Sequence, residues 1–285
     1  MSGNEANKKY RDSVFCSYFN EPTRLLSLCN AILGTDYQDA AQLKINTLEG
    51  IFFDDQKNDI SCIIGNTFLV LIEHQSTINE NMPLRCLSYV AELMNKLITD
   101  KQKIYRKALI KFPSPRFIVL YNGDDTEPLQ REMHLSEAFG GDDSTLELVV
   151  TSYNINHGLN QPLLGKCSYL NDYSLLVGKV KAGLVAGLNR REAIRQAVKK
   201  CLAKGIMGKY LVENSEEVTN MLSLEWNLDD ALAARFQDGR DEGINEGIEK
   251  VALKMIQLGK SFEDIRQMTD LPVERIQKLS LSKKR

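Results

Sequence analysis

Residues 58–76, NDISCIIGNTFLVLIEHQS, form two apolar runs about Gly65-Asn66, with Asp59, Glu73 and Gln75 set inside segments whose other residues demand burial. Short apolar runs about a glycine turn predict a β-hairpin. Side chains two apart on a strand share a face, so Glu73 and Gln75 project with Leu69 and Leu71, while Val70, Ile72 and His74 face the other way. A two-residue Gly65-Asn66 loop would set Asp59 against Ile72. A three-residue loop, Gly65 to Thr67, or an equivalent bulge sets Asp59 against Glu73. Three-residue hairpins with a G1 bulge are common, so the odd loop is expected. Two carboxylates a few ångströms apart repel unless one is protonated or a cation lies between them. Mg²⁺ answers that conflict, because it prefers carboxylate, carbonyl and water and takes few protein ligands; the His74 backbone carbonyl is a further candidate. Mn²⁺ can substitute for it. Such an ion activates bound water and offsets charge on a phosphodiester, so the expected chemistry is phosphodiester hydrolysis.

The rest of the chain frames that hairpin. Residues 10–33 carry apolar groups at a 3.6-residue period interrupted at Glu21-Pro22, which predicts one or two amphipathic helices. Residues 48–54, 58–64 and 67–75 read as a three-stranded meander, and residues 84–98 as a helix with Pro83 at its first turn. Strands are expected at 116–123 and 146–155. The fold class expected is α/β, a mixed sheet in αβββαβ order, followed by helices. Three regions follow: residues 1–165 as the α/β domain, 166–235 as a helical extension, and 236–285 as a small C-terminal helical element. In the last, Gly239, Gly243 and Gly247 recur among charges and predict a weak helix or hinge. Two short helices about Asp270-Leu271-Pro272 suggest a helix-turn-helix, a small helical cap or a dimerisation element, with Arg275, Gln277 and Lys278 as base-reading candidates.

The αβββαβ order, an acid on the second strand and E-x-Q on the third resemble the PD-(D/E)XK nuclease superfamily. More narrowly, KNDISCIIGNTFLVLIEHQSTINENMPLRCLSYVAEL is similar to the Rpn/YhgA-like family of recombination-promoting nucleases and transposase-like proteins, over roughly residues 8–160. The resemblance implies a Mg²⁺-dependent DNA endonuclease with a part in recombination or transposition. Asp59 and Glu73 become metal ligands, and Gln75 stands where the wider superfamily has lysine. Gln75 offers only dipolar hydrogen bonds in place of a charge, although the family itself uses Gln there. Arg85 and Tyr89 match the family's R-x-x-x-Y and share a helix face. Arg85 then either holds a phosphate or pairs with a carboxylate, with Tyr89 packed in the core. Lys57 and Asp12 are further candidates for the missing lysine and the metal's outer shell.

Bulk properties leave these readings open. A formal charge of -2 over 285 residues gives no global basic footprint, so a DNA surface must be local. The best local candidate is the helix at 189–209, with Arg190, Arg191, Arg195, Lys199, Lys200, Lys204 and Lys209. Six scattered cysteines and only three histidines fit reduced core thiols rather than a zinc site. No apolar leader or spanning run is present, so a cytoplasmic protein with no membrane association is expected, with homo-oligomerisation through the C-terminal helices as a candidate. The competing function is a nuclease-fold module that binds DNA or a partner chain without cutting. A third class, another metallohydrolase such as a phosphatase, uses the same two carboxylates.

Overall fold

A computed structural model describes residues 13–45, 59–98, 100–141 and 145–282, except for the side chains at 59, 227–236, 238, 241–242 and 281–282. Asp12, Lys57 and the strand expected at 48–54 lie outside the described residues.

The first helix, α1 (Val14–Phe19), starts where Ser13 Oγ accepts the Cys16 amide. α2 (Pro22–Leu33) starts where the Glu21 carboxylate accepts the amides of Thr23 and Arg24, with Pro22 placed where a missing N–H costs nothing. The break expected at Glu21-Pro22 is therefore a cap between two helices. The sheet strands are β1 (Leu43–Ile45), β2 (Asp59–Ile64), β3 (Phe68–Gln75), β4 (Ser114–Tyr121), β5 (Gln130–His134) and β6 (Val149–Asn154), with α3 (Met82–Leu97) between β3 and β4. Their spatial order is β1-β2-β3-β4-β6-β5. β1, β2 and β3 pair antiparallel, β3, β4 and β6 parallel, and β5 antiparallel to β6. This is an α/β fold with a six-stranded mixed sheet. β5 has no counterpart in the sequence expectations, because QREMH lacks the apolar alternation that marks a strand and lies at the sheet edge.

The hairpin has the odd loop. Ile64 pairs with Phe68 and Asp59 with Glu73, so Gly65, Asn66 and Thr67 form the connection. Gly65 and Asn66 both have φ of 54°, the positive pair that matches the twist of a hairpin, and the Thr67 amide closes on the Ile64 carbonyl at 2.9 Å. A Cβ on Gly65 would lie 3.0 Å from the Tyr37 ring. Gly65→Ala is therefore expected to lower unfolding free energy by about 1–2 kcal/mol, read from the urea midpoint, because an L-residue meets strain in this left-handed region.

Two layers cover the sheet. On one face Leu69, Leu71, Phe117, Val119 and Val150 pack against the α3 stripe Met82, Cys86, Tyr89, Val90 and Leu93, which recurs at helical spacing. On the other face Phe15 of α1 stacks on His74 with centroids 5.0 Å apart, and buried Cys29 of α2 meets Cys62 at 3.7 Å. All six cysteines are free thiols, five of them buried, as expected of reduced core residues.

After the short helix α4 (Gln161–Leu164) come α5 (Ser168–Val185), α6 (Arg190–Ala203) and α7 (Gly208–Gln257), the last interrupted by non-helical backbone at Asn214. The chain divides into two compact units, Met1–Glu225 and Trp226–Arg285. The first holds the sheet together with α5 and α6. In the second, Gly239, Gly243 and Gly247 are helical, within α7. Beyond them, α8 (Phe262–Thr269) and α9 (Val273–Ser282) flank Asp270-Leu271-Pro272. Ile265 and Ile276 pack with Ala252, and Ser261 caps α8 by accepting the Asp264 amide. Among the described residues no helix is long and apolar enough to cross a membrane.

Candidate functional site

Glu73 and Gln75 end β3, on the α3 face of the sheet, and the register sets Asp59 directly opposite Glu73. Glu73 is only 4% exposed. Its Oε2 accepts the Gln75 amide at 2.7 Å, and the same amide nitrogen lies 2.9 Å from Met82 Sδ. Its Oε1 lies 3.2 Å from Arg85 Nη2, an ion pair in which that buried oxygen accepts no hydrogen bond. Arg85 in turn donates to the Tyr89 hydroxyl through Nε at 3.3 Å and Nη2 at 2.9 Å. The i,i+4 spacing on α3 thus delivers a cation and a phenol to the strand end. Of the two alternatives for Arg85, the geometry matches the second: the arginine pairs with a carboxylate, and Tyr89 is in the core.

Burial pushes the Glu73 carboxyl above its ordinary range, while Arg85, Gln75 and the Tyr89 hydroxyl pull in the opposite direction. A buried acid at this position fits a hard cation in one respect, since Oε1 has charge compensation but an unfilled acceptor direction. The backbone adds a second oxygen. Because the Gln75 carbonyl goes to the Asn122 amide just beyond β4, alternation along the strand turns the His74 carbonyl toward β2, the side of Asp59. Among the described residues no three His, Cys, Asp or Glu side chains converge on one point. An ion here would rest on Glu73, Asp59 and backbone, a sparse set of the kind Mg²⁺ accepts.

The His74 side chain lies on the opposite face. Its Nε2 meets the Tyr173 hydroxyl at 3.2 Å beneath Phe15, and burial, aided by the Lys181 ammonium, lowers its pKa to about 4. It is a neutral packing residue, in line with its expected orientation.

Sequence reasoning missed Lys181. From α5 its ammonium reaches the carbonyls of Asn122 and Gly123, the latter at 3.0 Å, Asn156 Oδ1 at 3.0 Å and Asp124 Oδ1 at 2.8 Å. Asn156 also donates to the Gly123 carbonyl at 2.9 Å, and Asn154 to that of Glu127 at 3.0 Å, which gives the asparagines of YNINHG a role in holding this loop. A lysine within GKVKAGLV gives no signal beyond half-burial on an amphipathic helix. Compared with known protein families, curated proteins and solved structures, the chain finds no match.

Proposed function

We propose that the chain is a metal-dependent DNA endonuclease, with Asp59, Glu73 and the His74 carbonyl as Mg²⁺ ligands. The observation that supports this reading is the register: a three-residue loop puts an acid opposite a second, deeply buried acid at the end of a central strand. Mg²⁺ bound there would supply Lewis acidity and a water of lowered pKa. The chain's own groups do the positioning. Gln75 orients the Glu73 carboxylate through its amide, and Arg85, held by Tyr89, presents a guanidinium suited to a phosphate oxygen. Lys57 and Asp12 belong to this proposal as outer contributors. A role in recombination or transposition follows from the family resemblance alone.

A second reading, a nuclease-fold module that binds without cutting, is favoured by one observation. Gln75 and Arg85 already compensate Glu73, and no lysine accompanies the pair among the described residues around it.

Supercoiled plasmid separates the two. With Mg²⁺ or Mn²⁺ the wild-type chain is expected to nick it, chelation to stop the reaction, and Asp59→Ala and Glu73→Ala to be inert. Nicking that survives in both variants removes this site from the reaction. Inert wild type that still binds DNA supports the second reading.

A further inference from the structure

We infer that α6 is a docking track for the phosphate backbone of duplex DNA, with Arg191, Arg195 and Lys199 as its contact residues. Five cations and one acid occupy this helix of 14 residues, in a chain whose formal charge is -2. Ala193, Ile194, Ala197, Val198 and Cys201 form its buried face, against α5. Arg191, Arg195 and Lys199 are exposed at i, i+4 and i+8, about 6 Å apart along the axis, flanked by exposed Lys200 and Lys204.

Arg191, Arg195, Lys199, Lys200 and Lys204 are in no ion pair with a described residue. Several exposed helical cations elsewhere do have acid partners, Lys96 with Glu92, Lys209 with Glu213, Lys250 with Glu246 and Arg266 with Glu263, and Lys254 and Lys278, in no ion pair with a described residue, are not grouped on one helix face as these five are. The arrangement also breaks two local rules. Like charges at i,i+4 repel, and Arg191 places positive charge at the helix end where the dipole is already positive. Glu192 is the one acid in that turn, and a local cost of this kind is what a surface kept for a polyanion shows.

Its place in the fold agrees. α5 passes Tyr173, which meets His74, and then Lys181, which reaches the carbonyls just beyond the end of β4. It therefore runs toward the carboxyl edge of the parallel strands, where Glu73 and Gln75 also end. The chain turns at 186–189 and α6 starts from that edge with Arg191 and Arg195.

The track rests on reading the chain as a protein that acts on DNA, but it can be tested without cleavage. A fluorescent duplex is titrated with the full chain in EDTA across a salt series. Arg191→Gln, Arg195→Gln and Lys199→Gln combined are expected to weaken binding at least about tenfold at low salt and to flatten the slope of log K against log salt by about 2–3. A control with the same charge change, Lys96→Gln, Lys209→Gln and Lys250→Gln, is expected to keep the wild-type slope. Equal binding by the two triple variants overturns the track, even if the enzyme cuts plasmid. The expected difference upholds it, even if no cleavage is ever seen. Loss of binding to phosphatidylserine vesicles with duplex binding intact overturns it in favour of a membrane surface.

Discussion

Arg85→Met is expected to destabilise the protein by about 3 kcal/mol at neutral pH, whereas Glu73→Gln changes stability by less than about 1 kcal/mol and abolishes cleavage. The asymmetry comes from burial. The Glu73 side chain is 5% exposed and that of Arg85 29%, so a guanidinium deprived of its partner can still be hydrated but a carboxylate cannot. Removing the arginine leaves an uncompensated charge under α3, with only the Gln75 amide and Tyr89 to relieve it. Removing the charge of Glu73 keeps its shape beside Gln75 and Met82 and ends the desolvation penalty that pushes its carboxyl upward. Chemical denaturation of both single variants and the double variant closes the cycle. The double variant is expected to be destabilised by no more than about 1 kcal/mol beyond Glu73→Gln, giving a coupling of about 2–3 kcal/mol. Plasmid nicking by Glu73→Gln is expected to fall by about 10²-fold or more, since an amide supplies neither charge nor a second acceptor oxygen to a cation. An additive cycle would show that Arg85 stabilises the fold by packing and not by holding Glu73.

What the sequence made legible follows the strength of each local signal. The hairpin could be read to the residue because side-chain alternation has a period of two: only an odd loop puts Asp59 across from Glu73. α3 and the Glu21-Pro22 break were equally readable, the first from its 3.6-residue stripe and the second from proline chemistry. β5 was not, since Arg131 and Glu132 stand where a buried strand would have apolar residues. The division of the chain near Glu225 falls inside α7, where neither proline nor a glycine run marks it. The candidate site was legible as a list and not as a circuit. Sequence spacing gave Arg85 and Tyr89 a common face but could not say that the arginine would lie against Glu73, because the approach of α3 to β3 is set by packing of Met82, Cys86 and Val90 over the sheet. Lys181 was invisible for the same reason. Its partners are mostly backbone carbonyls, and those have no sequence signature.

That lysine carries the second large effect. Lys181→Met is expected to lower unfolding free energy by about 3 kcal/mol and to reduce nicking several-fold, although the residue touches none of the proposed metal ligands. An ammonium has three donors in a tetrahedral spread, and here they meet the carbonyls of Asn122 and Gly123 and the Asn156 side-chain oxygen. The contact to Asp124, whose side chain is 91% exposed, adds little. A methionine fills the stem's volume but strands those acceptors where the loop is half-buried. The loop also abuts the site. A Cβ on Gly123 would stand 2.0 Å from the Ser76 carbonyl, so backbone meets backbone one residue beyond Gln75. Slackening 122–124 releases the end of β3, and the first group to move is the Gln75 amide that orients Glu73. Lys181→Arg is expected to recover less than half of the lost stability, because a planar fork cannot serve three acceptors arranged about one nitrogen. Amide exchange gives the check independent of activity: protection of Asn122, whose amide bonds the Gln75 carbonyl at 3.0 Å, falls in Lys181→Met and is unchanged in Asp124→Asn. If Asn122 stays protected while nicking falls, Lys181 acts on the substrate directly and not through the strand end.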